Sequence, residues 1–343
     1  MELKIATPFD AHVHLRDGAA LETVVPHVAR DFGRALVMPN LKPPVTTVEE
    51  AVAYRSRIER CQLPGQSCDW LMSLYLTDNT TAAEVEKVAA TDGVVAFKLY
   101  PAGATTNSDH GITDYAKIDQ ALAAMAEHGV LLLVHGEVTH GEVDIFDREQ
   151  RFLDEVLAKI LVRHPNLKVV LEHVTTADGV NFVEQGGERV AGTLTAHHLL
   201  YNRNDLLVGG VHPHLYCLPV LKRERHRQAL LAAATGGSGR FFLGTDSAPH
   251  GRDAKECPSG CAGCYTSPVA LALYAEAFEM AGALERLEDF ASHFGADFYG
   301  LPRASTSLTL VKEETPVSDS YAFDDDVVVP LRAGGSVAWR VKR

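Results

Sequence analysis

The stretch Phe9–Asp17, with the sequence FDAHVHLRD, carries the strongest structural signal in the chain. This short stretch predicts a buried strand in which His12 and His14 point to one face and Val13 to the other. Two neutral imidazoles on one strand suit a borderline metal such as zinc, and Arg16 follows on the same side as an anion receptor. In the alternative interpretation, both histidines are structural and bond only to backbone carbonyls.

The length and composition of the chain fit a single large α/β barrel. Its 343 residues are 46% hydrophobic, which is enough apolar material for one extended core. No apolar run reaches membrane-spanning length, and the N-terminus lacks the basic and apolar segments of a signal peptide. Six unevenly spaced cysteines are typical of a reduced protein. We therefore expect a cytoplasmic protein with no membrane partner.

The charge of the chain limits its partners further. The formal net charge is −13, which opposes binding to phosphate backbones and to anionic lipid. Nucleic acid is therefore not an expected partner. A small anionic substrate would have to be attracted by local cations, such as Arg16 or bound metal ions, against the overall field.

Eight short β-rich runs alternate with segments of helical periodicity. The predicted strands cover residues 8–15, 35–38, 70–76, 94–99, 130–135, 168–172, 190–194 and 241–244. Predicted helices between them include residues 48–60, 82–90, 116–128 and 147–164. This alternation predicts parallel βαβ units that close into a (β/α)8 TIM barrel.

The chain reads as one domain over residues 1–343. The barrel is expected to occupy about residues 1–302, because Pro302 ends the helical region. Residues 303–343 are expected to form a short β-rich extension, with strands at 327–329 and 337–339.

Polar side chains close most of the predicted strands. In barrels of this type the active site lies at the C-terminal ends of the strands. The residues found there, in order, are His12, His14, Asn40, Lys98, His135, His173 and Asp246. Any one of them could be an ordinary structural residue, but all except the asparagine are potential metal ligands. Their joint occurrence on one rim predicts a metal centre.

Lys98 and Asp246 indicate the chemistry of this centre. A charged ammonium would repel metal ions, but a poorly solvated pocket favours the neutral amine of Lys98, which can take up carbon dioxide as a carbamate. The two carbamate oxygens could bridge two metals about 3.5–4 Å apart. Asp246 closes the last strand, where a carboxylate can bind metal and also accept a proton.

Seven segments together resemble the type II dihydroorotases of the amidohydrolase superfamily. They are residues 10–17 (DAHVHLRD), 38–40 (MPN), 97–101 (FKLYP), 135–137 (HGE), 172–175 (EHVT), 217–222 (CLPVLK) and 244–250 (GTDSAPH). The first segment alone would indicate only the superfamily, whereas the combined set is specific and spans nearly the whole chain.

The resemblance implies a complete set of site residues. Two zinc ions per subunit are implied, the first held by His12, His14 and Asp246 and the second by His135 and His173, with N6-carboxylated Lys98 and a hydroxide as bridges. The implied substrate-binding residues are Arg16, Asn40, His135, Leu218, His250 and Ala262. Thr105 and Thr106 match a flexible loop that closes over the substrate.

The resemblance also implies the reaction. It is the reversible cyclisation of N-carbamoyl-L-aspartate to L-dihydroorotate and water, in pyrimidine biosynthesis. Asp246 is expected to take a proton from the attacking hydroxide and pass it to the departing nitrogen. A homodimer is expected from the resemblance alone.

Three other functions remain open at this stage. A hydantoinase or allantoinase would use the same metal chemistry, although such enzymes usually carry a substantial β segment before the first histidine pair, and only eleven residues precede His12. A metal-free lyase could use Lys98 as a Schiff base, which would leave the rim histidines without a role. A non-catalytic member would be expected to have lost ligands, and none is missing.

Other histidines and cysteines are possible metal ligands. The pair His197–His198 and the histidines of 212–214 lie near strand ends or in rim loops, and could replace His135 or His173 as ligands. Cys257, Cys261 and Cys264 resemble a zinc-binding fragment, but no fourth ligand is evident nearby. Glu137 and Glu172 flank proposed ligands and are expected to orient them.

Overall fold

The computed structural model describes residues 1–342 and is built on an eight-stranded parallel sheet. Five strands of the described residues lie outside it, among them β1 Glu2–Ala6 and β10 Ser307–Pro316. The barrel strands are β2 Phe9–Val13, β3 Arg34–Val37, β4 Asp69–Leu76, β5 Val94–Leu99, β6 Leu131–Val134, β7 Val169–Leu171, β8 Val190–Leu194 and β9 Phe241–Leu243. Each strand pairs with the next in sequence, and all eight coincide with predicted runs to within two residues.

Backbone contacts between β2 and the end of β9 close the sheet into a barrel. The amide of Asp246 donates to the carbonyl of His12 at 2.8 Å, and the amide of His14 donates to the carbonyl of Ser247 at 3.0 Å. Val13 and Ser247 form a parallel bridge at the same point. The predicted TIM barrel is confirmed, and its closing seam brings the first and last predicted ligands together.

The helices surround this barrel. They are α1 Ala20–Ala29, α2 Val48–Glu59, α3 Ala82–Ala89, α4 Asp119–His128, α5 Arg148–Phe152, α6 Ala158–Arg163, α7 Ala177–Gln185, α8 Ala196–Leu200, α9 Arg203–Leu207, α10 Glu224–Thr235, α11 Arg252–Lys255, α12 Ala270–Met280 and α13 Phe294–Tyr299. Short π-helical segments at Leu153–Leu157 and Asp289–His293 join neighbouring helices. The single helix predicted at 147–164 is therefore interrupted by a π-helical segment. In residues 1–342 we find no helix with the length and apolar character needed to span a bilayer.

An apolar layer fills the barrel below the site. Ala11, Ala96, Leu133, Val170 and Phe242 belong to a buried cluster that is distinct from the larger core under the helices. Farther along the same strands, polar residues replace these apolar ones, as when Lys98 follows Ala96. The functional side chains therefore rest on a packed floor, which fixes their positions.

The extension is a second sheet that includes the N-terminus. Its strands pair in the order β1, β10 and β13 Ser336–Val341, all antiparallel, and β11 Tyr321–Phe323 pairs with β12 Asp326–Val328. The predicted C-terminal β-rich extension is confirmed. The sequence did not predict that β1 would join it, nor that β10 would form its centre.

Candidate active site

Three side chains from the closing seam converge on one point. The Nε2 atoms of His12 and His14 lie 3.3 Å apart, and Oδ1 of Asp246 lies 3.4 Å and 3.0 Å from them, respectively. All three residues are less than 9% exposed. The separation of these donor atoms is that of ligands around a single metal ion.

The outer nitrogens of both imidazoles are fixed by hydrogen bonds. Nδ1 of His12 lies 2.8 Å from Oε2 of Glu172, and Nδ1 of His14 lies 2.8 Å from Oδ1 of Asn40. Because both partners are acceptors, each Nδ1 carries the proton and donates it. Each ring therefore directs Nε2 toward the centre, as metal-bound histidines usually do.

The protonation of His14 and the position of Asp246 show whether these side chains suit a cation. Burial lowers the pKa of His14 to about 4, so its ring is neutral at physiological pH. With the proton on Nδ1, its Nε2 lone pair faces a carboxylate oxygen of Asp246 at 3.0 Å. Two lone pairs at this distance repel each other, and a cation between them removes the repulsion. The donor set therefore fits a metal ion.

The backbone near the ligands adopts uncommon conformations. Arg16, His173 and Asp246 have positive φ angles of 64°, 40° and 44°, in the left-handed region that few non-glycine residues occupy. The buried carboxylate of Asp10 supports the last of these, because its Oδ1 accepts from the amides of His12 at 3.1 Å and Thr245 at 2.8 Å. Asp10 thus ties the two strands of the seam directly beneath the site.

Lys98 reaches the barrel interior from β5, where its amine has no hydrogen-bond partner in the described residues and lies over the ring of Tyr100. The residue is 0% exposed, and within residues 1–342 its Nζ has no hydrogen bond. Burial lowers the pKa of Lys98 to about 8, although the carboxylates of Glu172 and Asp246 partly oppose this effect. An amine with this pKa is deprotonated in an appreciable fraction of molecules at neutral pH, which is the form that reacts with carbon dioxide.

His135 and His173 lie next to the first group of ligands. Their ring centroids are 4.8 Å apart, and the centroid of His173 is 5.2 Å from that of His12. Nε2 of His135 pairs with Oε2 of Glu137 at 2.9 Å, which leaves Nδ1 for a ligand. Nδ1 of His173 is buried and has no partner within the described residues. Both histidines thus offer a free nitrogen next to the His12 group.

Arg16 and His250 form a polar pair at the edge of the site. Nη2 of Arg16 donates to Nε2 of His250 at 2.8 Å, and Nε of Arg16 donates to the carbonyl of Pro249 at 2.9 Å. Burial lowers the pKa of His250 well below its usual range, which keeps the ring neutral and able to accept. Nη1 of Arg16 is buried and has no partner in residues 1–342, so it is free to bind an anion.

The predicted loop residues lie against the opposite wall. The hydroxyl of Thr106 lies 3.4 Å from the carbonyl of Ala262, and Nδ2 of Asn40 donates to the carbonyl of Thr106 at 3.2 Å. Thr105 and Leu218 line the same cavity. Asn40 therefore both orients His14 and holds the loop, two contacts that its position after β3 did not reveal.

The cavity brings together most of the predicted site residues. It is lined by His12, His14, Arg16, Asn40, Tyr100, Thr105, Thr106, His135, His173, Leu218, Asp246, Ala248, Ala262 and Gly263. Lys98 and His250 do not line it, but Nζ of Lys98 lies 5.1 Å from the ring centroid of Tyr100, and His250 contacts Arg16. Tyr100 has no role predicted from the sequence, and its hydroxyl is buried without a hydrogen-bond partner in the described residues. Its position two residues after Lys98, directly after the end of β5, was the available signal.

The other candidate ligands lie elsewhere. His197 and His198 form a separate buried group with Cys217, so they do not replace His135 or His173. His214 pairs with the exposed Glu256 at 2.8 Å. Cys257 is exposed whereas Cys264 is buried beside Cys217, so the thiols of that loop point to different surroundings.

The fold and site define a class: a (β/α)8 barrel with a metal-ligand set at the C-terminal ends of its strands. The model of the amidohydrolase family matches residues 4–309. The chain is 60% identical over 339 residues to the dihydroorotase of Alkalilimnicola ehrlichii and 61% identical over 340 residues to that of Vibrio vulnificus, with 99% of each chain covered in both cases. The chain belongs to the amidohydrolase family and, within it, to the dihydroorotases.

Solved structures agree with this assignment. The dihydroorotase of Campylobacter jejuni has a TM-score of 0.91 at 34% identity and covers 100% of this chain and 98% of its own. The Saccharomyces cerevisiae enzyme, solved with 5-fluoroorotic acid, also has a TM-score of 0.91, at 33% identity and with 99% and 98% coverage. An L-hydantoinase from Arthrobacter aurescens has a TM-score of 0.77 at 17% identity, which shows a shared fold. The chain is a cyclic amidohydrolase with dihydroorotase function.

Proposed function

We propose that the protein catalyses the reversible cyclisation of N-carbamoyl-L-aspartate to L-dihydroorotate at a two-metal centre. The observation that carries this proposal is the convergence of the His12, His14 and Asp246 donor atoms beside the unpartnered amine of Lys98. The full-length relatives named dihydroorotase support the choice of substrate.

Two zinc ions would be held by two groups of side chains. His12, His14 and Asp246 would hold one ion, and His135 and His173 would hold the other. Lys98, carboxylated by carbon dioxide with release of one proton, would contribute oxygens to both. Bound zinc would polarise the reacting carbonyl and lower the pKa of water.

Arg16, Asn40 and His250 would bind the substrate carboxylate. Nη1 of Arg16 supplies an unused charged donor, and its Nη2 and Nε are already fixed by His250 and Pro249. A fixed guanidinium loses little freedom on binding a carboxylate, so it orients the ring with respect to the ligands. Backbone groups of Leu218 and Ala262, together with Thr105 and Thr106, would cover the ring and exclude water.

Asp246 would move the proton. In ring opening, its carboxylate accepts the proton of the attacking water and delivers it to the departing amide nitrogen. In ring closure the same proton travels in reverse, from the carbamoyl nitrogen to the water that is formed. The hydrogen-bonded seam beneath Asp246 holds its carboxylate in place during both ring opening and ring closure.

The experiment compares three substrates on one preparation. The protein loaded with zinc is assayed with L-dihydroorotate, hydantoin and allantoin, and again after chelation. We expect ring opening of dihydroorotate only, and loss of this activity after chelation that zinc restores. Ring opening of hydantoin or allantoin in preference to dihydroorotate would contradict the proposed substrate. Activity that survives complete chelation would contradict the metal centre and favour an imine mechanism at Lys98.

Two further proposals concern the protein in the cell. We propose a cytoplasmic location, supported by the six cysteines, which all lie in the described residues and form no disulfide there.

We also propose a homodimer, on resemblance to the type II enzymes. Sedimentation of the purified protein tests the oligomeric state, and a monomer at micromolar concentration would contradict it.

A further inference from the structure

We propose that His197, His198 and Cys217 form a second metal site, separate from the active site, that binds zinc or a similar thiophilic divalent cation. We refer to these three residues as the His–Cys cluster. The cluster lies beside the barrel mouth, where α8 follows β8 and meets the loop after Leu215. Its existence does not depend on the reaction proposed above.

The geometry of the cluster is that of a ligand set. One donor atom from each residue lies within 4.8 Å of the other two. The two imidazole centroids are 4.5 Å apart, and Sγ of Cys217 lies 3.7 Å from Nε2 of His198. All three residues are at most 2% exposed. Imidazole and thiolate are the donors that zinc prefers in structural sites.

His197 supplies an independent observation that points to a ligand. It is 0% exposed, and neither of its ring nitrogens has a hydrogen-bond partner in residues 1–342. Leaving a buried polar group unpaired destabilises the fold, and here both ring nitrogens of His197 are unpaired. A structural histidine in a core would normally bond to at least one neighbour. A cation coordinated by one of these nitrogens would remove part of this cost.

His198 and Cys217 share one hydrogen-bond acceptor, which brings their donor atoms side by side. Nδ1 of His198 lies 2.7 Å from the hydroxyl of Thr195, which orients the ring as a neighbour of a metal ligand usually does. Nε2 of His198 and Sγ of Cys217 both lie against the carbonyl of Pro219, at 3.0 Å and 3.3 Å. Binding a divalent cation would release the thiol proton to solvent and transfer the ring proton of His198 to Nδ1, which would then donate to Thr195.

Cys264 would provide a fourth donor after a change in its side-chain position, because it is not among the three residues whose donor atoms lie within 4.8 Å of one another. It belongs to the same small buried cluster as Cys217, together with Leu206 and Leu221. Two thiolates and two imidazoles are a common tetrahedral zinc set. Cys264 would thus bind the metal ion together with Cys217. It would not form a site with Cys257 and Cys261, its neighbours in the loop that resembles a zinc-binding fragment.

The site would join two walls of the active-site cavity. Cys217 directly precedes Leu218, and Cys264 directly follows Gly263, and both of these neighbours line that cavity. A metal ion that cross-links the two cysteines would hold these wall segments together. Occupancy is therefore expected to stabilise the substrate-binding loops as well as the fold.

The test uses cobalt, because a thiolate bound to Co²⁺ gives an intense near-ultraviolet charge-transfer band. The proposed active site contains no thiolate, so this band reports only a sulfur-containing site. Metal-free protein is titrated with Co²⁺ under reducing conditions, and the band is recorded together with the total cobalt bound. Four proteins are compared: the unaltered chain, Cys217→Ser, His197→Gln and the matched control Cys257→Ser.

We expect the band in the unaltered chain and in Cys257→Ser, its loss in Cys217→Ser, and at least tenfold weaker cobalt binding at this site in His197→Gln. Active-site cobalt should persist in all four. Absence of the band from the unaltered chain, or its survival in Cys217→Ser, would overturn the proposal. If Cys217→Ser does not fold, as judged by circular dichroism, the His197→Gln titration decides: unchanged affinity overturns the proposal and weakened affinity supports it.

Discussion

Nδ1 of His12 lies 2.8 Å from Oε2 of Glu172, and both side chains are at most 1% exposed. The same carboxylate oxygen accepts from the hydroxyl of Thr193 at 2.6 Å. The carboxylate of Glu172, at the end of β7, therefore links β2, which carries His12, to β8, which carries Thr193. It fixes the tautomer and orientation of His12, and so determines where Nε2 points.

Replacing Glu172 by glutamine is therefore expected to weaken metal binding without removing a ligand. The amide retains the shape but loses the charge that holds the proton on Nδ1 of His12. Changes of this kind typically lower metal affinity by about 10–100-fold. Competition with a chelator of known affinity measures the effect. The control is Glu86→Gln on the exposed face of α3, and equal zinc retention in both variants would contradict the orienting role.

Asp246→Asn should abolish turnover and leave the fold intact. The amide cannot accept a proton, and it is also a poorer metal ligand than a carboxylate. A general base alone contributes about 10²–10⁴-fold, so we expect a loss of at least about 10²-fold in kcat. Circular dichroism and the thermal unfolding midpoint check that the barrel is unchanged. Near-normal kcat in the folded variant would refute the role of Asp246 in moving the proton.

Arg16→Lys should affect substrate binding more than the chemical step. Lysine keeps the charge but cannot reach Pro249, His250 and a substrate carboxylate together, because it lacks the planar fork. We expect KM to rise at least tenfold with a smaller change in kcat. Arg163→Lys, at an exposed pair with Asp119, is the matched control. A fall in kcat with unchanged KM would show that Arg16 acts on the chemical step instead.

The barrel and most of its site were predictable because the relevant signals are local. A buried parallel strand is recognisable in the sequence as a short apolar run. A polar residue at the end of such a run is predicted to lie on the rim of the barrel, as for Lys98 and His135. The pairing of β1 with β10 was not predictable, since it joins segments about 300 residues apart and nothing local specifies the partner. The dual role of Asn40 was also missed, because hydrogen bonds across the rim depend on three-dimensional packing.

The His–Cys cluster illustrates the same limit. The His197–His198 pair stood out in the sequence, and Cys217 was noted within a recognisable segment. Their convergence depends on the path of the chain between α8 and the loop after Leu215, which no local pattern encodes. The sequence could therefore supply the donors but not the set that they form.

His27 is expected to make the fold sensitive to acid. It lies on α1, its Nδ1 is 2.6 Å from the hydroxyl of Tyr265, and its ring packs edge-on against Tyr321 of the extension with a centroid distance of 4.5 Å. Burial, aided by the nearby charge of Arg30, lowers the pKa of His27 from 6.5 to about 4. The unfolded chain thus binds a proton at a higher pH than the folded chain does.

The stability associated with neutral His27 is therefore complete above pH 6.5 and is lost as the pH falls toward 4. At pH 5 the loss amounts to about 2 kcal/mol of unfolding free energy. His27→Gln cannot be protonated, so its unfolding free energy should fall less between pH 7 and pH 5 than that of the unaltered chain, by about this amount. Urea unfolding at the two pH values measures the difference, with exposed His128→Gln as the control. An identical pH dependence in all three proteins would mean that His27 titrates equally in the folded and unfolded chain, and that its packing between barrel and extension does not exclude the proton.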